Sequence, residues 1–405
     1  MRDGWQTKTL GEVCEFQRGL TYSNGDEVDL SGNVVLRAMN IDLASHRLDF
    51  SDLKYISDEV VVPESKKVRK GSLLVCTASG SKSHLGKIAY IDDDYGYAFG
   101  GFMGMLVPSS ELVPTYLFYV MTSGGYEDFI AALADGMNIN NLKFDVLKKF
   151  RVLYPSLPEQ KRIVGILDEA FENIATDKAN AYKNLQNARA LFESHLRSVF
   201  TQRGEGWVEK RLGDVATTQY GLSKSMNEVG EGFRIFRMGE LQDGRLIDTG
   251  RMKFADIDRA EFEKYRLRPG DTLFNRTNRV ELVGKTGLFD MPGDYCFASY
   301  LVRVVPDPEV LLPRFLNHFM SSEPFRASVK RKASRSINQA NINATILANE
   351  TVVFPESLEE QWAVVTLLDR LRAEAQRLES IYQRKLAALE ELNRSLLHEA
   401  FAGNL

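Results

Sequence analysis

Two textures alternate along the chain. Up to about Tyr154, short apolar or β-branched runs (Asn33–Leu36, Ser72–Cys76, Lys87–Ile91, Phe150–Leu153) are separated by Gly, Asn, Asp and Ser. Short runs bounded by turn formers predict strands joined by loops. Pro114 and Pro313 precede the apolar stretches Tyr116–Met121 and Phe315–Met320. Proline suits a first helical turn, whose N–H groups lack intrahelical partners anyway, so each stretch predicts a helix, with a second short one after it. Beyond Pro155 the period becomes helical: Ile163, Leu167, Ala170, Ile174, Ala181, Leu185, Ala188, Phe192 and Val199 recur at threes and fours. Beyond Pro355 it does so again, through Val364, Leu368, Leu371, Ala375, Leu378, Tyr382, Leu386, Leu389, Leu396 and Ala400. Lys, Arg, Glu and Gln fill the other faces, and no proline interrupts Glu159–Gln202 or Glu356–Leu405. Each stretch predicts one helix of ~40 residues and ~60 Å.

The second texture change repeats the first because the chain is internally duplicated. Gly4-Trp5 and Leu10-Gly11-Glu12-Val13 match Gly206-Trp207 and Leu212-Gly213-Asp214-Val215 at a shift of 202. Gln17 and Gly19-Leu20 continue onto Gln219 and Gly221-Leu222, Arg37 onto Arg237, Gly71 onto Gly270, and Gly86-Lys87 onto Gly284-Lys285. Asn138-Ile139-Asn140 reads again as Asn341-Ile342-Asn343, while Leu157, Gln160, Leu167, Asp168, Leu185, Leu191, Leu196 and Phe200 recur 201 residues later. So long a period is a whole domain plus a linker, not a solenoid repeat. The predicted segments are 1–155 and 204–355, globular and α+β, and 156–203 and 356–405, helical.

A long exposed helix with a narrow apolar stripe needs a partner, and its own repeat is at hand. The architecture expected is two tandem homologous globular domains joined by two long helices forming an antiparallel coiled coil, with pseudo-twofold symmetry. Ile163, Leu167, Ile174, Leu185 and Phe192 on one helix and Val364, Leu368, Leu378, Leu389 and Leu396 on the other are the pairing candidates. Trp5 and Trp207, at the same place in both copies, are expected to be packing residues.

Composition narrows the chemistry. The 405 residues carry 51 Lys plus Arg against 55 Asp plus Glu, a formal charge of −4, with 44% apolar residues, as in globular proteins. No apolar stretch approaches the ~20 residues of a membrane span. The N-terminus has no signal-like apolar core and the three cysteines are widely spaced. A cytoplasmic protein with no membrane partner and no disulfide framework is expected. Gly86-Lys87 and Gly284-Lys285-Thr286 lack the glycine that a phosphate loop places five residues earlier, since Ser81 and Arg279 stand there. No Asn- or Asp-Pro-Pro-Tyr segment or glycine-rich turn offers a methyl-donor site, no two of the five histidines have helical zinc spacing, and Ser79-Gly80-Ser81-Lys82 has no counterpart in the second half. Neither a catalytic centre nor a metal site is expected.

Charge is unevenly spread. Ser65–Tyr90 holds six Lys or Arg and no acid, and Pro324–Asn349 holds five and no acid. Such tracts suit phosphate binding, and Arg, Asn, Gln and Ser on loops suit base reading. The candidates for nucleic-acid contact are Gln17, Arg18, Tyr22, Arg37, Thr77, Ser79, Ser81, Lys82, Ser83 and Lys87 in the first half. In the second they are Gln219, Tyr220, Lys224, Arg237, Asn275, Arg276, Thr277, Asn278, Arg279 and Lys285, with Arg331, Lys332 and Arg335 as basic contacts. For any one of these residues an ordinary solvated surface is the plainer reading.

The Trp5–Val13 and Trp207–Val215 openings, the helix start Leu157-Pro158-Glu159-Gln160-Lys161-Arg162-Ile163-Val164 and the ending Leu396-Leu397-His398-Glu399-Ala400-Phe401-Ala402-Gly403 resemble the DNA-specificity (S) subunit of type I restriction-modification enzymes, over essentially the whole chain. The resemblance implies two target-recognition domains, each reading half of a split site on double-stranded DNA. It implies that the helices act as a ruler and dock two methyltransferase (modification) subunits, and that restriction/translocase subunits can join. On this resemblance S-adenosylmethionine belongs to the methyltransferase partner, no cofactor belongs to this chain, and the chain alone is not an enzyme. Leu358-Glu359-Glu360-Gln361-Trp362 departs from the Leu-Pro-Glu-Gln form. A coiled-coil adaptor and a stalked nuclease or hydrolase are the competing classes, and neither explains a duplicated globular domain.

Overall fold

The apolar runs become strands and the periodic stretches become helices in a computed structural model that describes residues 4–43, 45–80, 84–136, 141–279, 282–336 and 339–405. The chain divides into two units: Met1–Ala181 with Arg384–Leu405, and Tyr182–Gln383.

In the first unit Gln6–Thr9 pairs antiparallel with Arg151–Tyr154, closing the globular head at the point where the chain leaves it. One antiparallel sheet runs in the order Cys14–Arg18, Met103–Pro108, Leu73–Cys76, Ile88–Tyr90, and a second in the order Glu27–Val28, Lys54–Ile56, Asn33–Leu36, Ala98–Phe99, its last pair parallel. Helices follow at Pro114–Val120 (α1) and Gly124–Gly136 (α2), and α3 runs through Leu157–Thr201.

The second unit repeats this plan and enlarges it. Trp207–Arg211 pairs with Thr351–Pro355, and the sheet containing Ala216–Tyr220, Leu301–Pro306, Thr272–Asn275 and Thr286–Leu288 gains the hairpin Leu241–Leu246. Asp243 and Gly244 both take positive φ there, as a two-residue hairpin turn of matching twist requires. Helices α4 (Pro313–Ser321) and α5 (Glu323–Lys332) match α1 and α2, and α6 spans Leu358–Ala402. The long helices have 45 residues each, and each gives its two parts to different units.

Within each unit the start of one long helix lies antiparallel to the end of the other. In the first, Arg162 Nη2 donates to the Leu405 carbonyl (2.7 Å) and Asp177 pairs with Lys385 (3.0 Å). In the second, Arg189 pairs with Glu379 (2.9 Å). Ile163 and Leu167 are buried in the first head's core with Leu397 and Ala400, while Leu368 is buried in the second's with Leu196 and Phe200. Ile174 and Leu389 are also buried; Leu185, Phe192, Val364, Leu378 and Leu396 are half-buried. The stripe thus packs on a head at its ends as well as on the other helix. Trp5 packs on the first core, and Trp207 on the Phe200 and Phe315 rings.

The repeated glutamine has a structural meaning. Gln160 is 0% exposed, accepts the Val113 N–H (2.8 Å) and donates to the carbonyls of Glu111 and Pro155 (2.9 Å each). Gln361, also 0% exposed, accepts from Leu312 and donates to Val310 and Pro355, all at 2.9 Å. Each amide satisfies three buried backbone groups and ties a long helix to the loop opening α1 or α4. A second tie sits a turn or two later: Tyr119 donates to Asp168, and His318 Nε2 lies 2.8 Å from Asp369 Oδ1. The tips repeat too, Phe401 meeting Tyr116 edge-on at 5.5 Å and Phe200 meeting Phe315 likewise at 5.5 Å. The three cysteines are free and buried, and burial pushes the Cys14 and Cys296 thiols up to about 12.

Candidate nucleic-acid interface

The second head gathers several of its candidates around the end of the strand Thr272–Asn275. Asn275 N–H donates to the Lys285 carbonyl (2.8 Å), and Thr277–Asn278 pairs with Gln339–Asn341. Asn275, Asn278 and Lys285 line a cavity of 460 Å³ together with Gln242 and Met238. Beside it, the Arg276 guanidinium lies 4.9 Å from the Tyr220 ring centre and donates to Asn341 Oδ1 (3.0 Å) and the Ser299 carbonyl (3.4 Å). Tyr220 Oη in turn accepts the Ala344 N–H (2.8 Å). Arg279 is exposed, as is Lys285.

Other candidates are held by the scaffold. Gln219 donates to the Lys264 carbonyl (3.0 Å) and accepts from Arg303. Arg237 pairs with buried Glu240 (2.7 Å), Lys224 with Glu261, and Lys332 with buried Glu350 (2.9 Å). The Glu261 hydrogen bond holds the Lys224 ammonium above its ordinary pKa. Arg331 is exposed at the end of α5, and Arg335 lies in the strand Ser334–Ser336.

In the first head Lys87 is 7% exposed and donates to the Ile41 carbonyl (2.9 Å), and burial lowers its pKa. Thr77 is buried with its hydroxyl on the Phe102 carbonyl (2.9 Å). Tyr22 packs on the Leu20, Val35, Ile56 and Ala98 cluster, which raises its phenol pKa. Arg37 reaches Asp52 (3.4 Å), Gln17 is half-buried, and exposed Arg18 lies over the Phe144 ring. Ser79 follows the Ala78 bridge to Asn141. Ser81, Lys82 and Ser83 lie outside the described residues, as do Asn138, Ile139 and Asn140.

This pair of repeated heads is matched as a pair. The family described as Type I restriction modification DNA specificity domain matches residues 2–186 and again 204–385. The chain belongs to that family. It is 27% identical over 419 residues to the type I restriction enzyme StySPI specificity subunit of Salmonella potsdam, covering 100% of this chain and 89% of that one. Against the EcoKI specificity subunit of Escherichia coli K12 it is 27% identical over 421 residues, with the same coverage. Among solved structures, a chain from work on complex assembly and conformational transition of the type I R-M system has a TM-score of 0.80 at 20% identity, covering 100% of this chain and 99% of that one. The HsdS subunit from Thermoanaerobacter tengcongensis has a TM-score of 0.61 at 20% identity, covering 100% and 98%. This specificity subunit therefore supplies DNA sequence specificity to a type I restriction-modification system and is not itself its catalytic chain.

Sequence reasoning missed Gln242 and Met238, which line the polar cavity of the specificity subunit. Their only signal was the Asp243-Gly244 turn, which marks a hairpin but not where its flanks point. Among the described residues no helix is long and apolar enough to cross a membrane.

Proposed function

We propose that each head of the specificity subunit reads one half of a split DNA site, with 1–155 and 204–355 as the two reading domains and the helical segments 156–203 and 356–405 as the spacer. The observation that carries this is the duplication: both heads join the helices through the same glutamine clamp, so one chain presents two reading surfaces on equivalent mounts. Two methyltransferase subunits dock on the equivalent helical segments, one per repeat, and bring the S-adenosylmethionine site. Restriction/translocase subunits join that assembly for cleavage, in the cytoplasm. In the second head the readers are Asn278, Arg279 and Lys285, while Arg276 fixes the loop and Arg331 meets phosphate; in the first they are Ser79, Ser81, Lys82 and Ser83, together with Arg18.

Mapping methylated adenines in cells that carry the chain with its partner methyltransferase tests this. A split motif is expected, and replacing 1–155 by the corresponding head of a relative should change one half of it only. A continuous motif, or a change in both halves, would overturn the assignment.

A further inference from the structure

The repeated Gly19-Leu20 and Gly221-Leu222 pairs have no part in the reading surface described above, yet they build the same device twice. In the first head Leu20 N–H donates to the Phe99 carbonyl (2.7 Å), Gly19 N–H to Met103 (3.2 Å), Met103 N–H to Gly100 (2.8 Å) and Gly100 N–H to Leu36 (2.9 Å). In the second Leu222 donates to Phe297 (2.8 Å), Gly221 to Leu301 (3.2 Å), Leu301 to Ala298 (2.9 Å) and Ala298 to Phe236 (3.0 Å). A β-carbon at position 19 would overlap the Gly100 carbonyl, and one at 221 the Ala298 carbonyl, so glycine is what lets the two backbones close.

The turn locked in this way carries one aromatic residue in each copy, and that residue is out in solvent. Phe102 is 72% exposed and Tyr300 is 44% exposed. The backbone beneath each ring is bonded to the reading loop: Thr77 N–H donates to the Phe102 carbonyl (2.9 Å) and Arg276 N–H to the Tyr300 carbonyl (3.1 Å). A rigid mount, an exposed aromatic ring and a hydrogen bond to the reading loop thus occur together in both heads. The loops beside the mounts differ, Thr77-Ala78-Ser79 in one and Arg276-Thr277-Asn278 in the other. The ring is therefore common to two surfaces whose polar readers are not.

We propose that Phe102 and Tyr300 are DNA-positioning residues, each an aromatic wedge that enters the duplex at one base step of its own half-site and unstacks it. The inference rests on the reading of one half-site per head. The ring face, which both residues share, has no hydrogen-bonding pattern that could identify a base, so stacking acts alike in both heads. It adds selectivity only indirectly, because flexible pyrimidine–purine steps open at lower cost than stiff ones. The locked turn matters here, since a wedge must hold its place while the step opens, and a mobile tip would spend the binding energy on its own ordering.

The test uses the complex of the full chain with its methyltransferase partner and target duplexes carrying 2-aminopurine at successive positions. Fluorescence should rise on binding at one position in each half-site. Phe102→Ala should abolish the rise in one half-site only and Tyr300→Ala in the other only, each weakening binding by roughly tenfold. The salt slope should not change, because no charge is lost. Phe102→Leu, which keeps apolar bulk, should restore most of the loss. Both rings are exposed, so unchanged melting temperatures are expected throughout. A complex that binds its target tightly with no fluorescence rise at any position overturns the wedge and leaves the half-site reading intact, as do alanine variants indistinguishable from the parent. A complex with no sequence preference at all overturns the half-site reading itself.

Discussion

Replacing Gln361 by leucine puts in a side chain that fits the site in shape but not in chemistry. The amide is fully buried and makes three hydrogen bonds of 2.9 Å, to the Leu312 N–H and the Val310 and Pro355 carbonyls. Leucine fills the volume and leaves all three backbone groups without those partners. A buried polar group deprived of its partner costs about 1 to 3 kcal/mol. Burying a leucine returns about 2 kcal/mol. At the middle of those ranges the net loss is about 4 kcal/mol. For a body of this size each kcal/mol lowers the melting temperature by about 2 to 4 °C, so a fall of about 8 to 16 °C is expected for the second unit. Calorimetry of the full chain reads the shift, and hydrogen exchange at the Leu312 amide locates it. Gln160→Leu should produce a similar loss, located instead at the Val113 amide, which Gln160 accepts at 2.8 Å. A shift below about 2 °C, with Leu312 still protected, would refute the view that these amides hold heads to helices.

Two further outcomes follow from the differences between the copies. His318 is buried against Asp369, Arg372 and Arg314, and burial first, then the two arginines, hold its pKa below the usual 6.5 despite the Asp369 hydrogen bond. The unfolded chain therefore takes up a proton that the folded chain refuses, so the second unit should lose stability as pH falls below about 6.5, whereas His318→Tyr, the residue of the first copy, should flatten the melting temperature between about pH 6.5 and 5. Arg279→Ala should relax one half-site by about 1 to 3 kcal/mol with no change in melting temperature, while Arg276→Ala, which frees Tyr220 and Asn341, should lower stability and weaken all sequences; indistinguishable variants in a methylation and binding assay would show that the two arginines do not divide the work.

The duplicated plan was legible in the sequence because hydrophobic period and repeat shift report on buried positions, and burial is what those patterns encode. Pro114 and Pro313 open helices as the pattern required, and both long helices run without a break. The recurrence of Gln160 as Gln361 was visible, but its role was not, because an amide that satisfies backbone groups near residues 111 and 155 leaves no periodic trace. The proposed reading surface was the least legible part. Composition counts charged and polar side chains and is blind to their partners: Lys87, Gln219 and Lys332 fit the composition of a nucleic-acid contact and are occupied within the fold.

The same distinction explains which residues the two halves share. Gln160 and Gln361, Asp168 and Asp369, and Gly19 and Gly221 are identical pairs, and each meets buried backbone or side-chain groups of its own head. The cost of changing any of them is set by the fold and is the same whatever DNA is bound. Thr77 and Arg276 occupy matching places on the loops, where each holds the turn through its backbone N–H while their different side chains brace it differently, the Thr77 hydroxyl on the Phe102 carbonyl and the Arg276 guanidinium on Asn341. A hydrogen bond made by the main chain fixes the loop without fixing the residue. On the proposed reading of one half-site per head, that separation lets one fold carry two specificities: the mount is written in buried amides, carboxylates and glycines, and the message in side chains that the mount does not need. It also predicts where redesign is tolerated. Exchanging Asn278 and Arg279 for other polar residues should alter a half-site without altering the melting temperature, whereas any exchange at Gly221 should unfold the mount before specificity can be measured, and a stable Gly221→Ala chain with parental specificity would contradict the argument.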